Sequence, residues 1–176
     1  MRVRFRGASL RGARLWRRRS REDISTGALQ NHSLWVARLS EVCRLAGHSD
    51  EAWQHARQAL DLARQQKERG DEARALHQLG VVQAHADPPD VVQAEAHYQQ
   101  ALTLAEELGM RPLQAHCQRG LGTLYAATGQ REQGRTALSA AIALYRAMDM
   151  TFWLPQAEAT LAQTGAGGMM YQERSL

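Results

Sequence analysis

Apolar residues recur at three- and four-residue spacing along most of the chain, as they do on the buried face of an amphipathic helix. One clear series is Ala52, Ala56, Ala59, Leu60 and Ala63. Six such segments predict six helices, over residues 33–46, 50–67, 71–86, 90–108, 111–128 and 131–148. The pattern is lost before residue 33 and after residue 163, so we expect the ordered repeat region to lie between these limits.

The six predicted helices form three copies of one sequence repeat. The first and third copies align at a single constant offset, with identical pairs Leu39/Leu121, Gly47/Gly129 and Ala59/Ala141. A middle copy, with Leu79 and Ala101 at the matching positions, lies about halfway between them. Three copies with a period of about 41 residues predict a stack of three helical hairpins.

Glycines and small polar residues mark the predicted helix ends and contacts. The residues suited to a left-handed C-terminal position are Gly47, Gly109 and Gly129. The predicted N-caps are Ser49, Asp71 and Asp90. A glycine inside a helix costs about 1 kcal/mol relative to alanine. We therefore expect close helix packing at Gly80, Gly120 and Gly122.

The two ends of the array differ. A solenoid must cover its last apolar face, and residues 151–163 predict a capping helix with apolar side chains at Phe152, Trp153, Leu154 and Leu161. Residues 164–176 should form a flexible tail. Residues 22–32 lack apolar periodicity and cannot cap the first hairpin, so we expect the array to be the last part of a longer one. We also expect self-association through the uncapped hairpin, whose apolar face includes Trp35 and Val42.

The composition agrees with an all-α fold. Aromatic residues make up 6% of the chain and β-branched apolar residues are scarce, which excludes a sheet-rich fold. The longest apolar stretches are far shorter than the roughly 18 residues of a membrane helix. Two cysteines, Cys43 and Cys117, offer no disulfide framework and fit a reducing compartment. We predict an all-α solenoid of three helical hairpins plus a C-terminal capping helix, in the cytoplasm.

Positive charge is concentrated at the N terminus. Residues 1–21 hold nine arginines and no acid, whereas the remaining residues hold 13 basic and 18 acidic side chains. Three interpretations of the basic extension, residues 1–32, stay open. It is a disordered extension or sequence upstream of the true start, a segment that binds nucleic-acid phosphates, or a targeting segment. The second interpretation carries an alternative function, nucleic-acid binding, which we rank below protein binding.

The middle and last repeats carry a recognisable signature. Leu79-Gly80, Ala94, Tyr98 and Ala101 match the Leu-Gly…Ala…aromatic…Ala pattern of the tetratricopeptide repeat, which this chain resembles over residues 33–163. Leu121-Gly122, Tyr125 and Ala141 match it again. The first copy departs from the pattern with Ser40 and Cys43, the closing proline is absent, and the period is longer than the family's usual one. The chain therefore resembles the long-repeat variety.

Residues 105–163 also resemble the C-terminal end of large bacterial proteins, in which a nucleotide-cyclase or regulatory ATPase domain precedes helical repeats. The two resemblances together imply a non-catalytic module for protein–protein interaction or regulation. They further imply that it is the C-terminal part of a larger bacterial signalling protein.

Residue patterns typical of catalysis or of a cofactor are missing. The single lysine, Lys67, does not follow a glycine-rich phosphate loop, and the Gly120-Leu121-Gly122 spacing lacks a third glycine and a preceding strand. No His-Glu-x-x-His pattern occurs, and the two cysteines lie far apart in the sequence without partner cysteines nearby. We therefore expect no enzyme activity, no cofactor and no metal.

The resemblance also implies where a partner would bind. In tetratricopeptide arrays the first helix of each hairpin lines a concave groove. The corresponding positions in the first copy are Leu34, Ala37, Glu41, Arg44 and Leu45. Those of the second are Arg74, His77, Val81, Ala84 and His85, and those of the third are His116, Arg119, Thr123, Ala126 and Ala127.

We expect Arg74, His77, His116 and Arg119, which come from consecutive first helices, to form one cationic patch on the protein surface. Such a patch would bind acidic side chains or the C-terminal carboxylate of a peptide. A solvated helix face with no partner of its own is the alternative.

Overall fold

The computed structural model describes residues 32–166. Within this range it contains seven α-helices and no strand. The helices are α1 (His32–Leu45), α2 (Ser49–Gln66), α3 (Arg69–Ala84), α4 (Val91–Glu107), α5 (Arg111–Ala127), α6 (Arg131–Ala147) and α7 (Leu154–Ala166). Helices α1/α2, α3/α4 and α5/α6 pair as hairpins, and α7 packs on α6. The predicted α-solenoid of three hairpins and a capping helix is confirmed; almost all of the basic extension and most of the tail lie outside the described residues.

The helix ends follow the predictions in part. Gly47, Gly109 and Gly129 have φ values of 82°, 65° and 81°, which confirms the left-handed positions. The side chain of Asp90 accepts a hydrogen bond from the backbone N–H of Gln93 at 3.1 Å, so it caps α4 as predicted.

The other two predicted N-caps are wrong. Helix α2 begins one residue earlier than predicted, so His48 is its N-cap and Ser49 is its first helical residue. Helix α3 begins at Arg69, two residues before Asp71. The Asp71 carboxylate instead accepts hydrogen bonds from Ser33 at 2.9 Å and from Arg74 at 2.7 Å.

The ring of Tyr98 on α4 lies between two other helices. A Cβ atom added at Gly80 of α3 would lie 2.8 Å from this ring, and one at Gly120 of α5 would lie 2.7 Å from it. Tyr98 is 2% exposed. At Gly122 an added Cβ would lie 2.6 Å from Cγ of Leu138 on α6. The predicted close packing at the three glycines is therefore confirmed, and one aromatic ring fills the space at two of them.

Helix α7 covers the last hairpin. Trp153, Leu154 and Leu161 pack against the buried cluster around Tyr145, as predicted for the cap. The prediction for Phe152 is wrong: this residue lies in the turn before α7, is 72% exposed, and contacts Trp153 edge-on with 4.9 Å between ring centroids. The helix begins at Leu154 and ends at Ala166, inside the segment expected to be tail.

Candidate functional site

Helices α1, α3 and α5, the first helices of the three hairpins, line one groove with a volume of about 610 Å³. Nine of the predicted groove residues line this groove: Glu41, Arg44, Arg74, His77, Val81, His85, His116, Arg119 and Thr123. Leu34, Ala37, Ala84 and Ala127 also line the groove. Leu45 and Ala126 do not; Leu45 is 71% exposed, and the backbone of Ala126 packs against Gly134 of α6.

The groove also contains residues that the sequence pattern did not indicate. Trp153 and Gln156 come from the capping helix and the turn before it, which close one end of the groove. Arg38, Gln78 and Tyr98 complete its polar and aromatic lining. Gln78 lies four residues after Arg74 and three before Val81 on α3, so helical periodicity alone places it on the groove face.

Arg119 is held by the capping helix and is only partly exposed. Its guanidinium carbon lies 4.9 Å from the centroid of the Trp153 ring, which is a cation–π geometry. Its Nη1 donates a hydrogen bond to Oε1 of Gln156 at 3.1 Å. The expectation that Arg119 lies free on the surface is therefore wrong, because the cap folds over this arginine and fixes its direction.

His77 and His116 lie side by side at the base of the groove, with 6.2 Å between their ring centroids. His116 Nδ1 hydrogen-bonds the hydroxyl of Tyr145 at 2.9 Å, and its ring meets Trp153 edge-on at 5.0 Å. Burial lowers the pKa of His77 to about 3, and the neighbouring His116 and Arg119 add to this effect. Burial and the charge of Arg119 lower the pKa of His116 to about 4.

Both histidines are therefore neutral at pH 7. The expectation of a cationic patch that includes them is wrong, because the packed helices and the cap largely remove their rings from water. Without these two histidines, the groove still has the positive charge of its arginines. Four arginines and one glutamate line it, while residues 22–176 as a whole carry more acidic than basic side chains.

Three buried side-chain donors in the groove have no hydrogen-bond acceptor within the part of the chain that the structure describes. They are Nε of Arg44, Nε2 of Gln78 and Nε of Arg119. Gln78 is 9% exposed, so its amide has little access to water. A buried donor left without an acceptor costs about 1–3 kcal/mol. A ligand in the groove that supplies acceptor oxygens would satisfy these donors once the side chains turn toward it.

Arg74 is partly neutralised on its own helix. Its Nη1 donates a 2.7 Å hydrogen bond to Oδ1 of Asp71, and Oδ2 of Asp71 accepts from Ser33 on α1. This arrangement keeps one edge of the guanidinium occupied. Arg44 and Arg119, by contrast, each keep a buried Nε donor without an acceptor among the described residues.

Comparison of the chain with protein-family models and with curated proteins found no match. Across residues 32–166 none of the helices combines the length and the apolar character needed to cross a membrane.

Proposed function

We propose that this chain is a non-catalytic repeat module of the tetratricopeptide type that binds a protein partner through the groove. The preferred ligand is an acidic segment or a free C-terminal carboxylate. The observation that carries the proposal is the groove formed by the first helices of the three hairpins, which four arginines line. Three of its lining residues, Arg44, Gln78 and Arg119, each keep a buried donor without an acceptor among the described residues. In the resembling bacterial proteins such a module forms the C-terminal part of a larger signalling protein, and we assign this chain the same place.

The charge of the groove favours an anionic ligand over a cationic one. Its arginines outnumber its single acidic residue, Glu41, in a body that is otherwise net acidic. Guanidinium groups bind carboxylates through two parallel hydrogen bonds, which gives direction as well as charge attraction. The neutral rings of His77 and His116 and the face of Trp153 supply apolar surface for neighbouring side chains of the ligand.

The energetics require several contacts at once. An exposed ion pair contributes about 0.2–1 kcal/mol, and a hydrogen bond to a charged group contributes about 1.5–3 kcal/mol. Micromolar affinity corresponds to about 8 kcal/mol. A ligand must therefore engage Arg44 and Arg119 together and must also bury apolar surface between them. This requirement favours an extended peptide over a small anion such as acetate.

Fluorescence anisotropy with labelled peptides tests the proposal. Glutamate- and aspartate-rich peptides with a free C-terminal carboxylate are compared with the same peptides amidated and with lysine-rich peptides of equal length. We expect the acidic peptides to bind, and Arg44→Gln to weaken binding about tenfold, equivalent to about 1.4 kcal/mol. Arg135→Gln removes the same charge from the exposed face of α6 and is the matched control.

Equal affinity of wild-type protein and Arg44→Gln for the acidic peptides would contradict the proposal, as would a preference for the lysine-rich peptides. Arg44→Gln is preferred to a change at Arg119, because Arg119 also holds the capping helix through Trp153 and Gln156. Circular dichroism of each variant shows whether the helices stay intact.

A further inference from the structure

Three side chains with different ligand atoms meet where α1 leads into α2. Cys43 lies two residues before the end of α1, while Glu51 and His55 lie on the first turns of α2. The Cys43 sulfur, a Glu51 carboxylate oxygen and a His55 ring nitrogen all lie within 4.8 Å of one another. The Cys43 Sγ and Glu51 Oε2 atoms are 4.0 Å apart.

This set of atoms matches the ligands that zinc takes in proteins. Zinc binds thiolate sulfur at about 2.3 Å, imidazole nitrogen at about 2.0–2.1 Å and carboxylate oxygen at about 2.0–2.2 Å. In a tetrahedral site the ligand atoms are then roughly 3.3–3.7 Å apart. The Sγ–Oε2 separation of 4.0 Å and the 4.8 Å upper limit for the other pairs are wider than these values, so binding would draw the three side chains together. Thiolate and imidazole also select zinc over magnesium or calcium, which prefer oxygen.

The backbone places the three ligands without distortion. Glu51 and His55 are four residues apart, so their side chains lie on one face of α2. The left-handed Gly47 ends α1 and turns the chain so that Cys43 faces this pair. Cys43 is buried at 6% exposure, while Glu51 and His55 are partly exposed. The site is thus closed on the sulfur side and reached by solvent on the other.

We propose that Cys43, Glu51 and His55 form a zinc site with three protein ligands and water as the fourth. The ion would tie the end of α1 to the start of α2 in the first hairpin. Cys117 offers the contrast within the same chain: it is fully buried, burial raises the pKa of its thiol to about 12, and it belongs to no comparable cluster among the described residues. The sequence contained no familiar zinc motif because the ligands come together only through the turn between two helices.

Cobalt(II) is the probe for this site, because a cobalt–thiolate bond gives a charge-transfer band in the near ultraviolet. The full chain, stripped with EDTA, is titrated with Co²⁺ and then with Zn²⁺. We expect one Co²⁺ per chain, a thiolate band that Zn²⁺ removes, and loss of the band in Cys43→Ser. Glu51→Gln and His55→Gln should weaken binding by more than the roughly 10–100-fold caused by loss of a supporting residue. Cys117→Ser should bind as the wild type does.

A wild-type protein without the thiolate band would overturn the proposal, as would a band that persists in Cys43→Ser or disappears in Cys117→Ser. A second measurement covers variants that fold poorly. Zn²⁺ should raise the melting temperature of the wild-type protein and of Cys117→Ser, and EDTA should reverse the increase. The melting temperature of His55→Gln should rise less at the same Zn²⁺ concentration, and an equal rise would contradict the assignment.

Discussion

Replacing Gly122 with alanine should destabilise the protein, although alanine is the better helix former. The added Cβ would lie 2.6 Å from Cγ of Leu138, 3.0 Å from the Leu138 backbone nitrogen and 3.1 Å from the carbonyl oxygen of Gly134. Leu138 is fully buried, and two of these three atoms belong to the α6 backbone, so no side-chain rotation can relieve the contact. Helices α5 and α6 must separate instead.

The size of the effect follows from two opposing terms. Overpacking of this kind costs about 1–3 kcal/mol, and the gain in helix propensity returns up to about 1 kcal/mol. We expect a net loss of about 1–2 kcal/mol in the free energy of unfolding. In proteins of this size each kcal/mol corresponds to roughly 2–4 °C in melting temperature.

Gly70→Ala is the matched control for Gly122→Ala. Its Cβ would lie 3.6 Å from Nη1 of Arg74 and 3.8 Å from Sδ of Met110, which are ordinary contacts. We expect no loss of stability from this change, and a gain of up to about 1 kcal/mol. Urea and thermal unfolding, followed by far-ultraviolet circular dichroism, measure both variants. If Gly122→Ala melts at or above the wild-type temperature, the argument from close helix packing is wrong.

The charges and exposed surfaces lead to three further predictions. Because the folded state lowers the pKa of His77 and His116, the unfolded chain binds more protons below pH 6.5, and stability falls as the pH drops. From pH 7 to pH 5 we expect a loss of about 2–4 kcal/mol by urea unfolding, which the His77→Gln/His116→Gln double variant should largely lack. Trp35 and Val42 are 52% and 57% exposed, so a chain without residues 1–21 should associate with increasing concentration in sedimentation. Val42→Glu should reduce this association, and a wild-type monomer at high concentration would contradict it. The nucleic-acid alternative predicts a salt-sensitive shift of nonspecific DNA that disappears when residues 1–21 are deleted, and a shift that survives the deletion would reject it.

The fold was predictable because its information is local and repeated. Apolar spacing indicates the helices, and Gly47, Gly109 and Gly129 mark the ends of three of them. The nearly constant repeat length indicates the order in which the hairpins stack. The error at Ser49 is a shift of one residue in the start of α2, whereas the error at Asp71 comes from a side chain with more than one possible partner. Asp71 is a good N-cap residue in isolation, but Ser33 and Arg74 reach it from other positions in the fold.

Most of the residues that line the groove were predictable from the sequence, but their charges and contacts were not. Alignment of the repeats was sufficient to bring Arg44, His77 and Arg119 to one surface. The pKa of His77, however, depends on how much water three stacked helices exclude, and the position of Arg119 depends on the ring of Trp153 from the cap. These properties arise between repeats, so no single repeat contains the information. Cys43 and His55 differ, because they lie in one hairpin and meet across the turn between its two helices.

The position of Tyr98 limits how this array can be rearranged. Repeat proteins are often treated as interchangeable cassettes, each with its own internal packing and a generic junction to the next. Here the Tyr98 ring of the second hairpin leaves no room for a Cβ atom at Gly80 in its own hairpin or at Gly120 in the following one. A graft that moves the second hairpin alone would therefore place Tyr98 against a side chain unless the recipient has a glycine at the matching position. Exchange between such arrays should otherwise succeed only when the second and third hairpins, α3 to α6, are moved together.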